Sequence, residues 1–249
     1  MTIQEKLQNV WENKFDAIYI LVYIPHIPVR FGELVKNLER VGLYNAKNLH
    51  IVYTGDSSYF TLLYNMLRPT MPESIRNEGI MKASLEHYRV IKNSYDLGYN
   101  RICIFEDDII FLKDLNKVYE TLLSLPDYDI CFGDSMFGKT YASGRERIKL
   151  SKENKINKYW ADSSKYNNPV WFASCYMLNR KGMQHIFSSQ EKKLCVPDYY
   201  TYSGGNLKRA FAIQNICIQN DSEDSLTGSK VFNKRYLKQE IDPSLYGSE

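Results

Sequence analysis

Arg101-Ile102-Cys103-Ile104-Phe105-Glu106-Asp107-Asp108 is a short apolar run that ends in three consecutive carboxylates. An uninterrupted apolar stretch of this length reads as a strand buried on both faces, and such strands belong to sheets covered by helices on each side. The acids then fall at the strand's carboxyl end, which is where open α/β sheets bind ligands. Upstream, Ala17 to Ile24 is a second apolar run, ended by Pro25 and Pro28. Phe31, Leu34, Val35, Leu38 and Val41 follow at helical spacing until Gly42 stops them, and Leu49 to Tyr53 reads as a strand closed by Thr54-Gly55-Asp56. That is a β-α-β opening. A helix is expected from about Ile80 to Tyr95, with Gly98 beyond its end. Downstream, Val118 to Leu125 is helical in pattern and Tyr128 to Phe132 reads as a strand. Periodicity then fades, and the polar segment Gly138 to Lys158 predicts a long loop. Structure resumes at Val170 to Leu178, followed by a short helix from Lys181 to about Ser188. From Gly228 the chain is polar and is expected to pack loosely. The fold class expected is α/β, with one domain over residues 1–228 and a polar tail over 229–249.

Composition narrows the function. The 249 residues carry 32 basic and 29 acidic side chains, a formal charge of only +3, which argues against a nucleic-acid binder with its marked basic excess. No apolar run approaches the ~18 residues of a membrane span, and the amino terminus MTIQEKLQNVWENKF has no apolar core of a secretory signal. Five cysteines, an odd number with no CxxC, do not form a disulfide framework. Cys103 and Cys131 lie in strand-like runs and read as small core residues. A reducing, cytoplasmic compartment is expected. The 20 tyrosines fit either a sugar-stacking cleft or a tyrosine-rich core.

The acidic tripeptide has two readings. Alternation along a strand sends Glu106 and Asp108 one way and Asp107 the other. Three crowded carboxylates repel one another and call for a hard divalent cation. Equally, one aspartate caps a following helix and the others are solvated. A rival motif lies downstream: Gly133-Asp134-Ser135-Met136-Phe137-Gly138-Lys139-Thr140 satisfies GxxxxGK[ST], the phosphate-binding loop of nucleotide-hydrolysing proteins and kinases. That loop needs a helix starting at its Lys-Thr, whereas Tyr141-Ala142-Ser143-Gly144 and a charged stretch follow. The acidic strand also precedes it instead of following it.

Several segments, in order, resemble glycosyltransferase family 25, whose members include lipooligosaccharide and collagen hydroxylysine galactosyltransferases. Asp16 to Ile24, Arg30 and 'LVKNLERVGL' resemble the family's opening strand, arginine and helix. 'GIMKASLEHYRVI' from Gly79 resembles the glycine and serine-histidine helix before the acidic strand, with His87 here three residues after Ser84. Glu106-Asp107-Asp108 matches the family's EDD signature, 'SCYMLNRKGMQHI' from Ser174 its next segment, and 'VPDYY' its short aspartate motif. Gln219 and Ser222 to Ser225 resemble its final glutamine and serine. The resemblance covers residues 16–226.

The resemblance implies a GT-A fold, a Rossmann-type mixed sheet flanked by helices with a loop-rich carboxyl-terminal acceptor side. It implies a UDP-sugar donor, galactose favoured, a Mn²⁺ or Mg²⁺ cofactor bridging the donor's diphosphate, and inverting transfer to a hydroxyl of a glycan or glycoconjugate acceptor. Asp108 and Glu106 are the implied metal ligands, with Glu106 and Asp107 also contacting donor. Thr54, Gly55 and Asp56 would hold base and ribose, Ser84 a phosphate, and Gln219 the donor side. Asp198 is the implied general base, and Tyr199 and Tyr200 a wall for the acceptor sugar; without the resemblance, Asp198 reads as a turn residue after Pro197. Peripheral membrane contact fits such an acceptor. A non-catalytic sugar-nucleotide or glycan-binding protein on the same fold stays open. His185 reads as a partly buried helix residue, and Trp160 and Trp171 as core or acceptor contacts.

Overall fold

The computed structural model describes residues 1–23, 27–54, 78–137, 144–165, 170–171, 174–192, 206–219 and 242–247. In chain order these form α1 (Ile3–Lys14), β1 (Ala17–Tyr23), α2 (Ile27–Arg40), β2 (Leu49–Thr54), α3 (Glu78–Asp96), β3 (Arg101–Glu106) and β4 (Ile109–Phe111). Next come α4 (Leu115–Leu123), β5 (Ile130–Phe132), β6 (Met136–Phe137), α5 (Gly144–Glu153), β7 (Trp160–Asp162) and β8 (Val170–Trp171). The last are β9 (Cys175–Asn179), α6 (Arg180–Lys192), β10 (Arg209–Ala212), β11 (Cys217–Gln219) and a 3₁₀ turn at Pro243–Leu245.

Seven strands make one mixed sheet in the order β2-β1-β3-β9-β5-β10-β7. β1 pairs in parallel with β2 and β3, and β5 in parallel with β10; β9 is antiparallel to β3 and β5, and β7 to β10. The carboxyl ends of β1, β2, β3, β5 and β10 therefore share one edge, where β9 begins.

Alternation along the strands divides the core in two. Ile18, Ile20, Cys103, Phe105, Cys175 and Met177 face Leu7, Trp11, Leu34, Leu38, Val118 and Leu122 of α1, α2 and α4. Ile102, Ile104, Ile130, Tyr176 and Leu178 face Val90, Ile91, Met183 and Ile186 of α3 and α6. The α/β class, with helices on both faces of a mixed sheet, follows. Cys103 and Cys131 are core residues, as their strand positions predict; burial pushes the Cys131 thiol up to about 12.

Three readings need correction. Gly144–Glu153, within the segment expected to be a loop, is the helix α5. It lacks a wide apolar stripe and is anchored by Arg147, whose guanidinium donates to Ser135 O and Oγ, Ala212 O, Ile213 O and Asn215 Oδ1. Pro28, read as part of the loop that follows the first apolar run, lies instead in the first turn of α2, where a missing N–H breaks no helical bond. Part of the supposedly loose tail is docked: Tyr246 is buried, bridges Leu112, and donates its hydroxyl to Asn215 O. Among the described residues, no helix is long and apolar enough to cross a membrane.

Candidate functional site

β3 ends at Glu106, and the chain turns at once through Asp107 and Asp108 into β4. The strand alternation expected for the three acids therefore stops at Glu106. Asp107 and Asp108 both face Arg30 of α2, whose Nη1 lies 3.9 Å from Asp107 Oδ1 and 4.0 Å from Asp108 Oδ2. These are long ion pairs, and the Arg30 side chain is only 9% exposed. Among the described residues its Nε and Nη2 have no hydrogen-bond partner, nor does Asp108 Oδ1. A buried guanidinium with two unmet donors beside a carboxylate with an unmet acceptor is an expensive arrangement in the absence of a ligand. Burial, then repulsion from Glu106 and Asp107, holds the Asp108 carboxyl well above the usual carboxylate range, against the pull of Arg30.

Glu106 belongs to a different set of contacts. Its Oε1 lies 3.4 Å from Nε2 of His87 on α3, and its Oε2 accepts from Gln219 Nε2 at 2.9 Å. Gln219 arrives because β11 pairs antiparallel with β4, setting Gln219 opposite Ile109, the residue after Asp108. Gln219, which the resemblance gives as a substrate-side residue, meets Glu106 across 113 residues of chain. His87 is held from the other side by Tyr176, with Nδ1 2.6 Å from the phenol oxygen.

Ser84, the residue expected to meet a phosphate, is buried on α3, and His87, one turn further along that helix, is in contact with Glu106. Thr54 ends β2 at the same sheet edge, while its side chain and all of Gly55 and Asp56 lie outside the described residues. Asp198, Tyr199 and Tyr200 also lie outside them. Trp160 is core, its indole N–H donating to Thr121 O, so it does not meet an acceptor. The side chain of Trp171 is not among those described.

The phosphate-loop pattern does not build a phosphate loop in its described part. Asp134 is fully buried and accepts from Ser174 Oγ and Asn215 Nδ2, and Ser135 is tied to Arg147. Met136 and Phe137, the middle of the pattern, are a strand paired with β8. A Cβ on Gly133 would strike Cys175 Sγ, so the space beside that glycine is filled by protein. Lys139 and Thr140 lie outside the described residues, and α5 begins four residues after Thr140.

Sequence reasoning missed the Asp134, Asn215, Ser174 and Arg147 network and the Tyr176 partner of His87. Each is a single polar residue in an apolar or unpatterned context, and only the sheet order brings the partners together.

Among the described residues, no three or more His, Cys, Asp or Glu side chains converge as a ready-made metal centre. The donor set still fits Mg²⁺ or Mn²⁺, which bind through one or two carboxylates plus substrate phosphates instead of an all-protein cage. Compared with known protein families and with curated proteins, the chain matches none of either.

Proposed function

We propose that this chain is a metal-dependent inverting glycosyltransferase of the GT-A type, taking a UDP-sugar, galactose favoured, to a hydroxyl of a glycan or glycoconjugate. The observation that carries this reading is the pairing of opposite needs at one sheet edge. Glu106, Asp107 and Asp108 crowd together at this edge, with Arg30 beside two of them, which favours a cation, while Arg30 Nε and Nη2 have no acceptor among the described residues, which favours an anion. A divalent cation on a diphosphate supplies both at once. The family resemblance adds the sugar and the direction of transfer.

Asp108, with Asp107 or Glu106, would hold the cation. A cation held there would supply charge to offset the negative charge that grows on the departing diphosphate. Arg30 would donate Nε–H and Nη2–H to the same phosphate oxygens, and its burial makes those bonds stronger than they are in water. Glu106, fixed by His87 and Gln219, is oriented before substrate arrives. Asp198 would remove the proton from the acceptor hydroxyl as the anomeric carbon is attacked. The hydrolase-type alternative through Gly133 to Thr140 is disfavoured by the β6 pairing and the buried Asp134.

Thermal shift with UDP, GDP, ADP and ATP, each with and without Mn²⁺, tests the reading. Stabilisation by UDP that depends on metal is expected, and ATP selectivity would displace the proposal. Release of sugar from the donor separates a transferase from a protein that only binds.

A further inference from the structure

We infer that His87, backed by Tyr176, is a positioning residue that sets the orientation of the Glu106 carboxylate for the cation and diphosphate. The inference deepens the proposed function and rests on it. His87 does not meet substrate itself, because it is only 1% exposed and both ring nitrogens are engaged. A Glu106 carboxylate that holds a cation only accepts, and in that role the Nε2–H of His87 is the donor to Oε1.

Tyr176 fixes the imidazole in two ways. Its hydroxyl lies 2.6 Å from Nδ1, and its ring stacks on the imidazole with centroids 5.7 Å apart and planes within 18°. Rotating the imidazole would break both contacts. Tyr176 is itself packed in the sheet, 1% exposed and paired on β9 opposite Ile104 of β3. Glu106 is thus held at Oε1 through His87 and Tyr176 and at Oε2 by Gln219, while its side chain stays 27% exposed. Both clamps leave outer lone pairs for a ligand. A carboxylate ordered by its neighbours binds a cation without first losing side-chain freedom, and such outer partners are typically worth ~10- to 100-fold in metal affinity.

The experiment measures Mn²⁺ affinity in the presence of UDP by calorimetry for the parent, His87→Gln, Tyr176→Phe, Glu106→Gln, and each of the first two combined with Glu106→Gln. His87→Gln is expected to weaken affinity about 10- to 100-fold, and Tyr176→Phe to weaken it in the same direction by less. In the Glu106→Gln background neither should have further effect, because the residue they act through is gone. A merely structural role would lower thermal stability and leave the losses additive. Parental affinity in both single variants, or equal losses in both backgrounds, would overturn the inference. Should His87→Gln not fold, Tyr176→Phe, which keeps the ring, carries the same comparison. A parent that takes up neither Mn²⁺ nor UDP overturns the proposed function first, a result separate from parental binding with unaffected variants.

Discussion

At the scale of single residues, Asp108 bears opposing demands. Its carboxyl is held above the usual range by burial and by its acidic neighbours, so the unfolded chain ionises it at lower pH than the folded one. Between those two values the unfolded state holds fewer protons, and stability falls as pH rises through that window. Asp108→Asn should therefore raise the melting temperature of the ligand-free protein at pH 7, with the gain shrinking toward pH 4. Relief of even ~1 kcal/mol would move a chain of this size by about 2–4 °C. The same variant should lose metal-dependent UDP binding. A lower melting temperature at pH 7 with intact UDP and Mn²⁺ binding would contradict both roles. Asp198 separates base from ligand in the proposed reaction. Asp198→Asn is expected to keep donor and metal affinity and to lower kcat by ~10²- to 10⁴-fold, read from initial rates at saturating donor.

At the scale of elements, the helices are secured by different chemistry. α1 begins with a capping box, Thr2 Oγ1 accepting from the Glu5 N–H and the Glu5 carboxylate accepting from the Thr2 N–H. Trp11 and Leu7 then bury it on the sheet. Gly42 closes the chain beneath α1 at φ +68°, where a Cβ would strike Gln4 O of α1, so Gly42→Ala should be strongly destabilising while Thr2→Ala costs about 1 kcal/mol. Urea midpoints of the two variants test that ranking. α5 is anchored chiefly by one buried cation, Arg147, with Leu150 packed part-buried on the core. Removing Arg147 leaves the carbonyls of Ala212 and Ile213 and the side chain of Asn215 short of a donor, and Arg147→Met is expected to cost roughly 3–5 kcal/mol. Chemical denaturation with a loss under ~1 kcal/mol would show that the helix does not depend on it.

At the scale of the whole molecule, the last described residues close the fold over the site's supporting strands. Lys113 N–H donates to Leu245 O, Gly247 N–H to Phe111 O, and Tyr246 Oη to Asn215 O, so β4 and the Asp134 network are both held by the carboxyl-terminal segment. β4 is also the strand that brings Gln219 to Glu106. Tyr246→Ala should cost ~3 kcal/mol, since it empties a buried aromatic site. It should also weaken UDP and Mn²⁺ binding although Tyr246 touches none of the acids. Calorimetry at a temperature where the variant remains folded checks this; unchanged affinity would show that β4 keeps its place without the segment.

Local pattern alone determined most of the sheet and the position of the acids. The runs at Ala17 and Arg101 are apolar because their strands are buried on both faces, whereas the edge strand at Leu49 alternates half-buried Ile51 with exposed His50 and Tyr53; a signal that depends on burial alone is readable without knowing the neighbours. The helices at Phe31, Ile80 and Lys181 were readable for the related reason that one face of each meets the sheet. α5 was not, because its most buried anchor among the described residues is Arg147, with Leu150 only part-buried against the core, and periodicity does not register a hydrogen-bond network. The acids could be read as a cluster at a strand's end but not as two groups. Which acid meets Arg30 and which meets His87 depends on where the chain leaves β3 and on the β4–β11 pairing, a contact between residues more than a hundred positions apart. Tertiary structure decided that, since a carboxylate's partners are set by distances in space, and the sheet order β2-β1-β3-β9-β5-β10-β7 is not written in the spacing of any one segment.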